Sequence, residues 1–82
     1  MMHAKFDSHF ERALARTPEN IRKKFYKQLL LLQQNLKHPS LRAKKYDESK
    51  NIWQARVDKS WRFYFQINND IYYLLDIIPH PK

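Results

Sequence analysis

The last third of the chain, Val57 to Lys82, sets two charges and an imidazole among apolar residues: Arg62, Asp76 and His80. Arg62 stands alone between Trp61 and the run Phe63, Tyr64, Phe65. A guanidinium on a strand is a rigid fork of donors matched to phosphate, and a carboxylate such as Asp76 would hold it in orientation. The same two residues also read as a structural ion pair across a ladder. Arg56, on the preceding strand, is harder to explain structurally. Opposed like charges on a sheet destabilise it, and an anion bridging them would remove the conflict. His80 lies in "IIPHPK", between Pro79 and Pro81, which limit its backbone freedom. A lone His is commonly structural, yet an imidazole beside two arginines is able to move protons near neutral pH. RNA cleavage needs such parts: a group to take the 2′-hydroxyl proton, a group to protonate the leaving oxygen, and cations for the charged phosphorane.

The elements that carry these residues follow from spacing. Residues 2–6 form a short strand or a lead-in. From Asp7 the positions Phe6, Phe10, Ala13 and Leu14 have helical spacing, with Asp7 or Ser8 as cap and Glu11 in the first turn. Thr17-Pro18 reads as an N-cap followed by proline at the first helical position. The second helix is predicted from Pro18 to about Leu36, with the stripe Ile21, Phe25, Leu29, Leu32, Leu36 widened by Leu30 and Leu31. So short a turn makes the two helices a hairpin. "HPSLRAKKYDESKN" is polar and reads as a loop; its Arg42, Lys44 and Lys45 would reach a phosphate backbone without reading sequence.

Three strands follow: Asn51–Val57, Trp61–Ile67 and Ile71–Ile78, antiparallel because their connections are short. With Asp58-Lys59-Ser60 as the first turn, Ala55 faces Phe63 and Trp53 faces Phe65, while Arg56 faces Arg62 and Gln54 faces Tyr64. With Asn68-Asn69-Asp70 as the second, Phe65 faces Tyr73, Phe63 faces Leu75, and Arg62 lies across from Asp76. One face is then apolar and the other mixed, as a half-buried sheet requires. Tyr73 belongs to the core, and Tyr64 and Tyr72 to the open side, where they are placed to stack on bases. The predicted fold is α+β: an N-terminal helical hairpin on one face of a small twisted antiparallel sheet, one domain over residues 1–82.

Composition narrows the chemistry. The chain has no Cys and no Gly among its 82 residues. That excludes disulfides, Cys-ligated metals and glycine-rich phosphate loops. Four scattered His residues make a poor metal cage, so neither metal nor cofactor is expected. No apolar stretch approaches the roughly 18–20 residues of a membrane span, and "MMHAKFDSHFERA" lacks the apolar core of a signal peptide; a cytoplasmic protein is the expectation. Net charge is +8, and no acidic residue lies between Asn20 and Tyr46. An acidic partner is implied, whether nucleic acid or protein.

Two helices followed by "HPSLRAKKYDESKNIWQARVDKSWRFYFQINNDIYYLLDIIPHPK" resemble the RelE/ParE superfamily of bacterial toxin–antitoxin toxins, over about residues 5–82. The RelE-like branch cuts mRNA in the ribosomal A site without metal; the ParE-like branch poisons DNA gyrase. The resemblance implies that Arg62, in the motif matching "WRFYF", contacts the scissile phosphate. Arg56 matches a basic residue of the preceding strand loosely, and His80 matches a His near the C-terminus of some ribosome-dependent members. Some of those also use a Glu ahead of the first hairpin strand, but Asp47 and Glu48 lie closer to the strand than that match wants. Others end in a Tyr where Pro81 follows His80 here, which leaves the general base open. The resemblance implies a cognate antitoxin, often acidic and partly disordered, with ribosome and mRNA as targets. Gyrase, or RNA bound without chemistry, is the alternative.

Overall fold

Asp7 starts the first helix by accepting a hydrogen bond from Phe10 N at 2.7 Å, the bond an N-cap carboxylate accepts from an amide without an intrahelical partner. The computed structural model of the protein describes residues 2–80. Within them α1 runs Ser8–Ala15 and α2 runs Glu19–Gln34. Thr17 does not cap α2. Its hydroxyl donates back to Ala13 O at 2.8 Å, and Pro18 takes the cap position without a side-chain bond.

The strands are β1 (His3–Phe6), β2 (Lys44–Asp47), β3 (Ile52–Arg56), β4 (Trp61–Asn68) and β5 (Ile71–Pro79), in the order β1-β5-β4-β3-β2. Two features correct the sequence reading. β1 pairs with β5 in parallel, so the sheet is mixed rather than antiparallel. The segment read as a loop holds a 3₁₀ turn, Pro39–Leu41, and the edge strand β2. β2 is "KKYD", and lysines on an edge strand discourage pairing with other chains at the expense of an apolar pattern. With no glycine available, Asn51 and Asn69 take left-handed backbone at φ 55° and 56°, a conformation asparagine tolerates well.

Both helices cover one face of the sheet. Phe25 is fully buried and meets Phe10 at 5.4 Å and Phe63, edge on, at 5.2 Å between ring centroids. Ile21, Leu29 and Leu32 are buried beside it, and Leu36 packs against the core just past the helix end. Leu31 widens the stripe as predicted, but Leu30 points to solvent. No described helix is long and apolar enough to cross a membrane.

The first hairpin has the predicted register, with Ala55 opposite Phe63 and Arg56 opposite Arg62. The second does not. Its turn is only Asn69 and Asp70, so Asn68 pairs with Ile71 and Phe65 with Leu74. That single-residue slip exchanges faces: Tyr72 is buried and Tyr73 is not. A bulge between Tyr64 and Phe65 then leaves Leu75 outside the ladder and restores the parity, so Ile77 faces Phe63 in the core. The net shift is two residues. Arg62 therefore lies opposite Ile78, and Asp76 lies opposite Tyr64.

Phe25→Ala should lower unfolding free energy by about 3–5 kcal/mol in urea titrations, whereas Leu30→Ala should stay within about 0.5 kcal/mol of wild type.

Candidate functional site

The turn between β3 and β4 is built by one carboxylate. Asp58 Oδ1 accepts hydrogen bonds from Ser60 N at 2.8 Å and Trp61 N at 2.9 Å, and Oδ2 meets Lys24 Nζ of α2 at 3.1 Å. Burial pushes the Asp58 carboxyl up, but the two amides and Lys24 outweigh it and hold the group below its ordinary value. Arg62 then folds back on the turn. Its Nη1 donates to Asp58 O at 2.7 Å and to Trp61 O at 3.0 Å. The residue is 7% exposed, and among the described residues no acid pairs with it. Asp76 thus does not orient Arg62. Its carboxylate lies 3.5 Å from His9 Nε2 of α1.

Past the end of β5, His80 is tied to the same turn: its backbone N donates to Ser60 O at 2.7 Å. Pro81, the second of the flanking prolines, lies outside the described residues. From α2, Gln28 donates to Ser40 O at 3.2 Å and Arg56 O at 3.0 Å. It joins β3 to the 3₁₀ turn, whose end is Arg42 in a left-handed conformation, φ 46° and ψ 43°.

These anchors bring Arg42, Lys44, Gln54, Arg56, Arg62 and His80 around one open cleft of about 390 Å³. Of the residues singled out by sequence, Arg56, Arg62, His80, Arg42 and Lys44 meet there. Lys45 does not. It turns to the opposite side of β2, where its ammonium sits 5.3 Å from the Trp53 ring centre and 3.7 Å from Glu48. Tyr64 lies beside the cleft rather than in its wall, with its hydroxyl accepting from Gln54 Nε2 at 3.0 Å. Two neighbours carry little signal in the sequence. Gln54 is an ordinary polar strand residue until the register is known, and Tyr46 sits in a segment that reads as loop.

The cleft is cationic. The ion pairs among the described residues are His9–Asp76, Lys24–Asp58 and Lys45–Glu48, so none of the four cleft cations is paired with an acid. Arg56 registers the crowding: loss of solvent, then Arg42 and Arg62, hold its pKa below the usual arginine value, though an arginine in water stays charged. Convergent guanidinium and ammonium groups with no acidic partner among the described residues have the chemistry to take a multiply charged anion.

Asp58 has a depressed folded-state pKa, so the stability it contributes is present above the ordinary carboxylate value of 3.8 and is lost as pH falls through the lower folded value. Urea midpoints should therefore fall more steeply in wild type than in Asp58→Asn on acidification below about pH 4. Arg56→Gln should melt slightly higher than wild type in low salt, because it relieves like-charge opposition. Added inorganic phosphate should raise the melting temperature of wild type more than that of the variant.

Neither a protein-family model nor a curated protein sequence matches this chain. Solved structures do. The RelE–RelB complex of Pyrococcus horikoshii OT3 contains a chain 16% identical, with TM-score 0.78 over 95% of this chain and 93% of that one. The RelB–RelE antitoxin–toxin complex of Methanococcus jannaschii matches at 21% identity and TM-score 0.74, over 90% and 87%. The isolated E. coli RelE toxin matches at 10% identity and TM-score 0.80, over 100% and 87%. With two helices on a five-stranded mixed sheet, this protein has the fold of the RelE/ParE-superfamily toxins.

Proposed function

We propose that this protein is the toxin of a toxin–antitoxin pair and cuts mRNA on the ribosome. One observation carries the reading: Arg42, Lys44, Arg56 and Arg62 converge, unpaired with acid among the described residues, on a cleft that also holds the imidazole of His80. In the proposed reaction a 2′-hydroxyl oxygen attacks the adjacent phosphorus, its proton passes to a base, and the bond to the 5′-oxygen breaks as that oxygen takes up a proton. The products are a 2′,3′-cyclic phosphate and a 5′-hydroxyl. His80 is the proton carrier among the cleft side chains. Arg62, fixed through Nη1, and Arg56 hold the phosphorane oxygens as their charge grows. Arg42 and Lys44 hold flanking phosphates.

The partner part of the reading rests on two supports. The P. horikoshii and M. jannaschii structures are toxin–antitoxin complexes. A net charge of +8 suits an acidic, partly disordered antitoxin that orders on binding.

Expression in growing cells, with RNA 5′ ends mapped at nucleotide resolution, should reveal new cuts at codon positions in translated messages. His80→Ala should lower cutting by about 10²–10⁴-fold, and Arg56→Ala by about 10²-fold or more. Arg62→Ala is the ambiguous variant, since Arg62 also satisfies two carbonyls of the turn; its melting temperature must be measured alongside. Growth arrest without new RNA ends, with gyrase-cleaved DNA instead, would replace this reading with gyrase poisoning, the activity of the ParE-like branch.

A further inference from the structure

Next to the cleft two tyrosine rings meet. Tyr46 and Tyr64 lie edge to face, 5.0 Å apart at 69°. Lys44, Gln54 and Tyr64 form one row across β2, β3 and β4. That row lies two residues, about 7 Å, along the strands from the Arg56–Arg62 row. Tyr46 has no partner in the ladder, because the register shifts between Lys45 and Asp47. A bulge of this kind re-aims a side chain. The result is a tyrosine 62% exposed yet held against a second ring. Nothing in the core needs it there, and an aromatic face beside a run of cations is what single-stranded nucleic acid recognises by stacking.

We propose that Tyr46 is a base-stacking residue, and that the nucleobase flanking the phosphate in the cleft lies on its ring with the Gln54 amide facing the base edge. The inference rests on the RNA reading above and adds to it a site for the base. Stacking tolerates every base, so Tyr46 sets affinity and position, while Gln54 supplies what base preference there is.

The test uses the full chain and a short labelled single-stranded RNA, 2′-O-methylated throughout so that it cannot be cut, at low salt in an anisotropy titration. A second oligonucleotide has the same backbone with abasic sugars. Tyr46→Ala should bind the RNA about 10-fold more weakly than wild type and bind the abasic strand equally well, and Tyr46→Trp should restore RNA binding. Arg56→Ala should weaken both strands. Equal RNA affinity for wild type and Tyr46→Ala, or an equal loss on both strands, overturns the stacking role while leaving the cleft reading intact. If Arg56→Ala weakens neither strand, the cleft does not hold RNA and both readings fall.

Discussion

A three-residue turn governs the site. Asp58, Lys59 and Ser60 are closed by the Asp58 carboxylate over two amides, and that closure sets Arg56 directly opposite Arg62. The carbonyl of Asp58 then takes one guanidinium nitrogen of Arg62, and the carbonyl of Ser60 takes the backbone amide of His80. Lys24 fastens the turn to α2 through Asp58, and Gln28, one helical turn further along, fastens Arg56 and the 3₁₀ turn to the same helix. Three candidate catalytic residues from two strands and a terminal segment thus share one short anchor. A rigid anchor is what chemistry at a phosphate requires, because misplacement on the order of 1 Å costs about 10²-fold in rate.

The cleft works against the rest of the structure. Two arginines oppose each other on neighbouring strands, a third stands close enough to lower the pKa of one of them, and that third residue holds a left-handed backbone without being glycine or asparagine. Each feature raises the energy of the free protein, the backbone alone by about 1–2 kcal/mol. Elsewhere the chain obeys local rules: aspartate caps α1, asparagine fills the other left-handed positions, and every buried polar side-chain atom among the described residues has a partner. Conflicts gathered at one place in an otherwise consistent fold are what a functional site shows, and they support the proposed reading of the cleft.

Much of this was legible in the sequence where a wrong answer would have put charge in the core. The first hairpin is such a case: a slip of one residue would bury Arg56 or Arg62 beneath α2, so only one register survives. The α2 stripe is legible for the same reason. The second hairpin is not, because both faces of β5 are apolar or aromatic over Ile71–Leu75 and tolerate a slip. The bulge at Leu75 leaves no trace in composition. β1 and β2 are short, and their burial alternates only between exposed and half-buried residues, so neither carries the contrast that periodicity reads.

The misplaced Asp76 changes the electrostatics in favour of the site. A carboxylate against Arg62 would have oriented the guanidinium, but it would also have cancelled its charge and competed with any phosphate for the same donors. The fold orients Arg62 with two backbone carbonyls instead. Carbonyls are neutral, so the side chain is fixed while its full charge stays available to the cleft. Both bonds fall on Nη1, and among the described residues no bond occupies Nη2 or Nε. Those two nitrogens are the pair a guanidinium offers to a phosphate in bidentate fashion. A buried cation with neutral anchors is costly in isolation, and the cost is returned when a dianionic or polyanionic ligand arrives. In the proposed function, binding is then driven by the group whose burial is costly in the unliganded protein.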